Sequence, residues 1–219
     1  MSNTSHDKVS ILMLTYNAPS YVYKSIRTLQ MTKDVDYELI VVDNHSKLPT
    51  RLILKILSRM GRINKLILNK HNALFAGGNN IAAAHARSDS NYYLLLNSDI
   101  QINSSDWLSK LIELNEGGIS SFGIVENEPY RVDGYCMLIE SNLYNKFKLD
   151  ENFQWWWSVT KLQAQVLNDG YRIRGLKDHE HYIHHFGGKS GQGFKDAKGM
   201  DVDMNSVLNW FEKGTVEFL

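Results

Sequence analysis

Cysteine, proline and net charge are all scarce in this sequence. It has one cysteine and three prolines among 219 residues, and its 24 basic side chains balance 24 acidic ones. The lone Cys136 excludes an internal disulfide and is typical of a reducing compartment. The zero net charge lacks the positive field of a nucleic-acid-binding protein, so we expect no nucleic-acid partner. No repeat, low-complexity tract or Pro-rich linker marks a domain boundary.

Long apolar segments are also missing. No run approaches the ~18 residues that span a bilayer. The first residues, MSNTSHDK, lack the basic region and apolar stretch of a secretory signal. These features predict a cytoplasmic protein. The 43% hydrophobic and 22% charged residues are ordinary for a globular domain, and the length suits one α/β domain with a sizeable core.

Short apolar runs alternate with helical patterns through about the first 115 residues. The runs are VSILMLT, ELIVVD, KLILN and YYLLL. This alternation predicts a mainly parallel sheet with helices on both faces. The third helix is predicted to begin after the Gly77-Gly78 pair. The pattern of the second half predicts further strands and a helix in SVTKLQAQVLNDG. We expect these strands to extend the sheet in the antiparallel direction.

Polar residues follow each of the first four predicted strands. They are Thr15 and Asn17, Asp43 and Asn44, Asn69 and Asn72, and Asn97 and Asp99. Any one pair is more simply explained as a turn, and so is a lone Asn97-Ser98-Asp99. Ligands of parallel sheets bind beyond the carboxyl ends of the strands, so we expect all four pairs to converge on one rim.

Several segments, in this order, resemble family 2 inverting glycosyltransferases of the GT-A fold. They are VSILMLTYN, ELIVVDNHS, NALFAGGNNIAAAHA, YLLLNSDI, VDGYCMLIESNLYNKF, LDENF, NDGYRI and HFGGKS. The similarity is greatest to the branch that builds bacterial surface polysaccharides, including rhamnosyltransferase-like enzymes. It implies an α/β, Rossmann-like GT-A domain over residues 1–219. A nucleotide-sugar half would occupy about 1–115, an acceptor-side half about 116–190, and a C-terminal extension 191–219.

The resemblance implies a metal site at the end of the fourth strand. Asn97-Ser98-Asp99 stands where the family carries its D-x-D-type motif, so Asp99 and Asn97 are the expected ligands for Mn²⁺ or Mg²⁺. His185, in H-x-G-G-x-S, resembles the family's later metal-proximal histidine. The neighbouring His184 and His181 leave that choice open.

The resemblance also implies a nucleotide site for a UDP- or dTDP-linked sugar. Asp43 would accept a hydrogen bond from a pyrimidine base, and Thr15 and Asn17 would lie by the base and ribose. A helix start at Asn79 would favour phosphate, although a helix cap is the alternative. The full nucleotide-binding set is Thr15, Asn17, Asp43, Asn72, Gly77, Gly78, Asn79 and Asn97.

The chain departs from the family pattern at the general base. The positions of the family's Glu-Asp pair hold Ser158 and Val159, and the later Asp is replaced by Lys161. Valine cannot take a proton, and serine is a poor base unless another group activates it. The carboxylates considered as replacements are Asp133, Glu151, Asp178 and Glu180.

Two other segments suggest contacts with acceptors or partners. Trp155 and Trp156 begin a run of three tryptophans, and with Gly134 they are candidates for an acceptor site, although core or interface packing explains the tryptophans equally well. The C-terminal segment MNSVLNWFEKGTVEFL is amphipathic. It would pack on the domain, dock a partner subunit, or touch the inner face of a membrane.

The sequence therefore predicts a metal-dependent transferase that moves a sugar from a nucleoside diphosphate to a glycan or lipid-linked acceptor. The missing carboxylate supports an alternative, a weakly active or inactive nucleotide-sugar-binding module on the same fold. A nucleotidyltransferase is disfavoured, because TYNAPSYVYK lacks a Gly-rich basic loop after the first strand.

Overall fold

The fold is taken from a computed structural model, in which residues 7–190 and 197–219 are described. The helices are α1 (Pro19–Leu29), α2 (Leu48–Arg59), α3 (Leu74–Ala84), α4 (Trp107–Leu114), α5 (Ser141–Phe147), α6 (Trp156–Asn168) and α7 (Met204–Leu208). The strands are β1 (Lys8–Thr15), β2 (Asp36–Asp43), β3 (Lys65–Leu68), β4 (Tyr92–Asn97), β5 (Ile100–Ile102), β6 (Gly118–Phe122), β7 (Ile124–Val125), β8 (Arg131–Val132), β9 (Cys136–Glu140), β10 (Arg172–Leu176), β11 (Ile183–His185) and β12 (Glu217–Phe218).

Eight strands form the central sheet, in the order β12-β10-β6-β9-β4-β1-β2-β3. Every neighbouring pair is parallel except the two made by β9, which runs antiparallel to both β4 and β6. The predicted fold class, a mostly parallel α/β sheet with an antiparallel extension, is confirmed.

Helices cover both faces of the sheet, which explains the uninterrupted apolar runs. Side chains two residues apart in a strand point to the same face. Ile11 and Met13 of β1 therefore join the core under α1, α2 and α4, while Leu12 joins the core under α3, α5 and α6. A strand that is buried on both faces needs apolar residues at consecutive positions.

The start of α3 corrects one prediction. The helix begins at Leu74, so Gly77 and Gly78 lie inside it and Asn79 is not at its start. A Cβ on Gly78 would come within 2.3 Å of Leu14 Cδ1, so the glycine permits close packing of α3 on β1. Asn79 is buried, and its Nδ2 donates to the Phe75 carbonyl at 2.9 Å. The helix-start argument for an anion site at Asn79 therefore does not hold, because its side chain is bonded inside the helix.

The described part of the C-terminal segment packs on the domain. Val207 is buried, Phe211 packs against the core under α6, and β12 extends the sheet beside β10. Residues 191–196, where the predicted extension begins, lie outside the described residues. Within the described ranges, no helix is both long and apolar enough to cross a bilayer.

Candidate functional site

A cavity of about 480 Å³ opens at the carboxyl ends of β1, β2 and β4, against the start of α6. Eight residues predicted for the site line it: Asn72, Asn97, Asp99, Asp133, Gly134, Trp155, Trp156 and His185. The antiparallel direction of β9 explains part of this set. The segment that enters β9 carries Asp133 and Gly134, and it arrives at the edge where the parallel strands end.

Asp99 and His185 meet at the end of the cavity where the sequence predicts a metal site, which we call the metal end. β5 pairs with β11 so that His185 lies opposite Ile100, next to Asp99. His185 Nε2 is 3.3 Å from Asp99 Oδ1 and 3.3 Å from Asn97 Nδ2. Of the three candidate histidines, His185 is the one that contacts Asp99. His184 pairs with Glu180 at 2.9 Å, and His181 packs on the Tyr182 ring.

The surroundings of Asp99 keep its carboxylate ionised. Burial would raise the pKa of Asp99, but the hydrogen bond and charge of His185 and the backbone N–H of Lys189 outweigh burial and hold the pKa below its ordinary value. The Lys189 N–H donates to Asp99 Oδ2 at 3.3 Å. An anionic oxygen therefore faces the cavity at neutral pH.

The donor set at this end fits a hard divalent cation. Asp99 offers a carboxylate oxygen and His185 a ring nitrogen, and a half-turn of the Asn97 amide would present its oxygen. No group of three or more His, Cys, Asp or Glu side chains arranged for a metal occurs among the described residues. A cation held here would therefore complete its shell with water and ligand oxygens, as Mg²⁺ commonly does in nucleotide sites.

Tyr135 supports His185, and the sequence analysis missed it. The two rings stack with centroids 4.3 Å apart and an interplanar angle of 8°. The Tyr135 carbonyl also accepts the Asn97 N–H at 2.8 Å, so one residue fixes both the histidine and the strand end. The only signal in the sequence was its place beside Gly134 in VDGYCMLI.

Part of the predicted nucleotide set lies behind the cavity wall. Thr15 and Asp43 are fully buried, and Thr15 Oγ1 donates to Asp43 Oδ1 at 3.4 Å. Arg51 Nε lies 3.5 Å from Asp43 Oδ2. Asn17 joins two loops instead of lining the cavity, since its Oδ1 accepts the Lys47 N–H. Gly77, Gly78 and Asn79 are likewise absent from the lining.

Asn44 holds this rim together. Its Oδ1 accepts the Asn69 amide at 3.0 Å and the Ala73 N–H at 3.2 Å, while its Nδ2 donates to the Leu74 carbonyl at 2.9 Å. The ends of β2, β3 and α3 are thereby fixed to one side chain, which also lines the cavity. Four of the eight polar residues expected to converge line the cavity, namely Asn44, Asn72, Asn97 and Asp99, and neither Thr15 nor Asn17 of the first pair does.

The opposite wall is largely apolar. Trp155, Trp156 and Val159 line it, and Trp156 is 49% exposed. A Cβ on Gly134 would come within 2.9 Å of both Val159 methyl groups, so the missing side chain lets the β9 segment pack against α6. Ser158 faces inward, where its hydroxyl donates to the Trp155 carbonyl.

Only one of the four candidate bases lines this cavity, and it is Asp133. Its Oδ1 accepts the Tyr135 N–H at 3.2 Å, which orients the carboxyl group. Glu151 instead accepts from Asn80 Nδ2 at 3.0 Å, and Glu180 pairs with His184. Asp178 lies between β10 and β11, away from the cavity.

Comparison with solved structures confirms the fold. The mannosyltransferase PcManGT from Pyrobaculum calidifontis, solved with GDP-Man and Mn²⁺, is similar with a TM-score of 0.68 and 16% identity. The match covers 78% of this chain and 55% of that one, so this chain spans about half the length of PcManGT.

Two structures of S. aureus TarS 1–349 also match. One has a TM-score of 0.66 and 16% identity, over 93% of this chain and 70% of the TarS chain. The other, in complex with UDP-GlcNAc, has a TM-score of 0.63 and 17% identity, over 80% and 57% respectively. At this identity the likeness establishes the GT-A fold alone. No curated protein sequence matches the chain.

The family assignment comes from the sequence itself. Residues 10–160 match the family described as Glycosyl transferase family 2. This range runs from β1 into α6 and includes Asp99, Asp133 and both cavity tryptophans. It covers more than half of the chain, and the chain therefore belongs to glycosyl transferase family 2.

Proposed function

We propose that the protein is a metal-dependent glycosyltransferase that moves a sugar from a UDP- or dTDP-linked donor to a glycan or lipid-linked acceptor in polysaccharide biosynthesis. The observation that carries the proposal is the Asp99–His185 contact at one end of a cavity whose other wall holds Asp133 and two tryptophans. Family membership and solved relatives with GDP-Man or UDP-GlcNAc support the same activity. We place the enzyme in the cytoplasm.

Asp99, His185 and Asn97 would hold the cation. A bound Mn²⁺ or Mg²⁺ supplies positive charge that stabilises the departing nucleoside diphosphate. The ionised Asp99 gives the site a hard anionic ligand, and Tyr135 keeps the His185 ring in position. The nucleotide would lie over the ends of β1 and β2, with Asn44 and Asn72 facing it. Thr15 and Asp43 would support that surface from behind.

Asp133 is our proposed general base. In an inverting transfer the acceptor hydroxyl attacks the anomeric carbon opposite the diphosphate, a C–O bond forms, and the bond to the diphosphate breaks. The hydroxyl proton then passes to a carboxylate on the acceptor side. Asp133 has the required wall position, and the hydrogen bond from the Tyr135 N–H orients its carboxyl group.

A second candidate function rests on Val159. This residue occupies a base position of the family pattern and presents only methyl groups to the cavity. A protein that binds a nucleotide sugar without turning it over would share the donor-side geometry. Such a binding module would also be unaffected by the loss of Asp133.

Nucleotide binding and turnover test the proposal in two steps. Calorimetry with UDP and dTDP is expected to show binding that strengthens when Mn²⁺ is added. Asp99→Ala should weaken that binding about a hundredfold or more, because an ionised ligand is lost, with the melting temperature nearly unchanged. Asp178→Ala removes a carboxylate outside the cavity and should bind normally. Unchanged Mn²⁺-dependent affinity in Asp99→Ala would remove Asp99 from the site.

Turnover separates the two candidate functions. Sugar nucleotides offered with a panel of glycan and lipid-linked acceptors should release the free nucleoside diphosphate from the wild-type protein. Nucleotide binding without any transfer would favour the binding module.

A further inference from the structure

Charge is unevenly distributed in this neutral chain. Between Tyr16 and Lys33, and again between Asn44 and Lys65, the charged residues are all lysine or arginine, three in the first segment and six in the second. These segments contain α1 and α2, which lie side by side on one face of the sheet. None of the chain's 24 acidic residues falls in either segment, so the outer surface of these two helices is basic.

An apolar stripe runs along the same surface. Leu48, Leu52, Ile56 and Met60 follow one another at four-residue spacing on α2 and its C-terminal cap, and they are 45 to 77% exposed. Residues four apart lie on one side of a helix. Arg51, Lys55 and Arg59 form a second, parallel stripe beside them. We call these two stripes, with the adjoining residues of α1, the α1–α2 face.

A groove of about 520 Å³ continues the apolar stripe onto α1. Tyr23, Ile56 and Met60 line it, together with Arg27 and Arg62. Exposed apolar residues and basic residues therefore lie side by side on this face. Within the described part of the chain, Arg27, Lys55, Arg59 and Arg62 have no carboxylate within ion-pair distance.

We infer that the α1–α2 face docks on an anionic membrane surface. Side chains of this kind bury their apolar part at the headgroup boundary while lysine and arginine attract anionic lipids. Charge complementarity favours this occupant over a second copy of the chain, since two such faces would bring basic residues together. A nucleic acid would use the basic residues but would gain nothing from an exposed row of aliphatic side chains.

The position of the face relative to the cavity is consistent with a lipid-linked substrate. Leu48, the most exposed residue of the stripe, follows the end of β2 by only a few residues. The Lys47 N–H beside it donates to Asn17 Oδ1, so the loops after β1 and β2 meet there. The stripe thus starts at the rim that carries the cavity. The docking itself does not depend on the proposed transfer activity.

Vesicle binding by the full chain tests the inference. The probe is a set of vesicles of phosphatidylcholine alone or mixed with an equal amount of phosphatidylglycerol, analysed by sedimentation in low and high salt. The wild-type protein should bind the mixed vesicles, and high salt should weaken the binding. K55Q/R59Q should bind roughly thirtyfold more weakly, the loss expected when two basic residues leave an anionic surface. K148Q/K213Q changes the net charge equally, on the side of the molecule that carries α5 and α6, and should bind normally.

Variants that replace exposed apolar residues with glutamine test whether the apolar stripe contributes to vesicle binding. L52Q/I56Q should lose at least about tenfold in binding to the mixed vesicles, whereas M204Q/L208Q, which alters exposed apolar residues of α7, should not. All four residues are exposed, so unfolding is not expected, and a melting curve checks it.

Three results would overturn the inference. The first is equal binding to both kinds of vesicle, or to neither. The second is binding of an oligonucleotide, but of no vesicle, to the same basic residues. The third is a dimer in vesicle-free solution that L52Q/I56Q converts to a monomer, which would show that a second copy covers the face.

Discussion

The two ends of the cavity differ in how closely their polar side chains are held by contacts with one another. At the metal end, Asp99, His185, Asn97 and Tyr135 hold one another by contacts at 3.3 Å and by ring stacking. At the opposite wall, which we propose binds the acceptor and call the acceptor wall, the lining residues are mainly tryptophan and valine, and Asp133 is the carboxylate. If the proposed roles are right, donor binding and proton removal can change separately, although both ends of the cavity contact Tyr135.

Asp133→Asn is the variant expected to have the largest effect. Loss of a general base should lower kcat by about 10²- to 10⁴-fold, while affinity for UDP or dTDP with Mn²⁺ stays within about twofold. Steady-state kinetics and calorimetry measure the two quantities. Glu151→Gln, outside the cavity, is the control. Equal loss of donor affinity would show that the two ends of the cavity are not separable.

Gly134→Ala probes the packing of the acceptor wall. The new Cβ would lie 2.9 Å from both Val159 methyl groups, so overpacking should lower the free energy of unfolding by about 1–3 kcal/mol. Val159→Ala removes those methyl groups, and the double variant should be less destabilised than the sum of the single ones. Urea denaturation measures all three. Simple additivity would mean that the glycine is not needed for this contact.

Trp156→Ala should affect the acceptor only. Loss of a half-exposed indole from the wall should raise the acceptor KM by roughly five- to tenfold, with kcat and donor affinity unchanged. Tyr171→Ala removes an exposed aromatic ring outside the cavity and is the matched control. A collapse of donor affinity would contradict the assignment of Trp156 to the acceptor.

Lys161→Gln is expected to have the smallest effect, and one that depends on pH. Lys161 Nζ lies 2.6 Å from Asp150 Oδ2. Burial would raise the pKa of Asp150, but hydrogen bonds from Lys161 and Asn152 and the Lys161 charge hold it below its ordinary value. A carboxyl group whose pKa is lower in the folded than in the unfolded protein stabilises the fold at pH values above its unfolded-state pKa. That stabilisation is lost as the pH falls through its folded-state pKa.

The variant should therefore cost under ~1 kcal/mol at neutral pH, since both partners are partly exposed. The cost should shrink as the pH drops below about 4. Urea denaturation across this range measures it. A cost that is the same at all pH values would show that Lys161 acts through packing, not through its charge.

The sequence predicted the sheet well, because short runs of consecutive apolar residues are typical of strands that are buried on both faces. It failed at the start of α3. Glycines are poor helix formers, and nothing in LFAGGNN shows that Gly78 must admit Leu14 or that Gln154 supplies the helix cap from 79 residues away. Long-range packing decided that boundary.

Only part of the candidate site was predicted, because the rest also depends on contacts between residues that are far apart in the sequence. Asp99 and Asn97 follow a recognisable strand end, whereas Tyr135 and Lys189 reach the site through pairing of distant segments. Asp43 looked accessible as a strand-end residue, but the salt bridge to Arg51 and the Thr15 hydroxyl enclose it. Choosing among four carboxylates required knowing which loop β9 would bring to the rim.

The reversed direction of β9 has a consequence for how such enzymes change specificity. The segment that enters β9 brings Val132, Asp133 and Gly134 to the acceptor wall, and it is joined to the metal end through Tyr135, which stacks on His185. Changes at Arg131, which lines the cavity, or in the loop at 126–130 that leads to it would thus alter the proposed acceptor wall without disturbing the parallel strands. If the proposed function is right, a new acceptor could be recognised after a change in this one segment while the residues proposed to hold the donor stay the same.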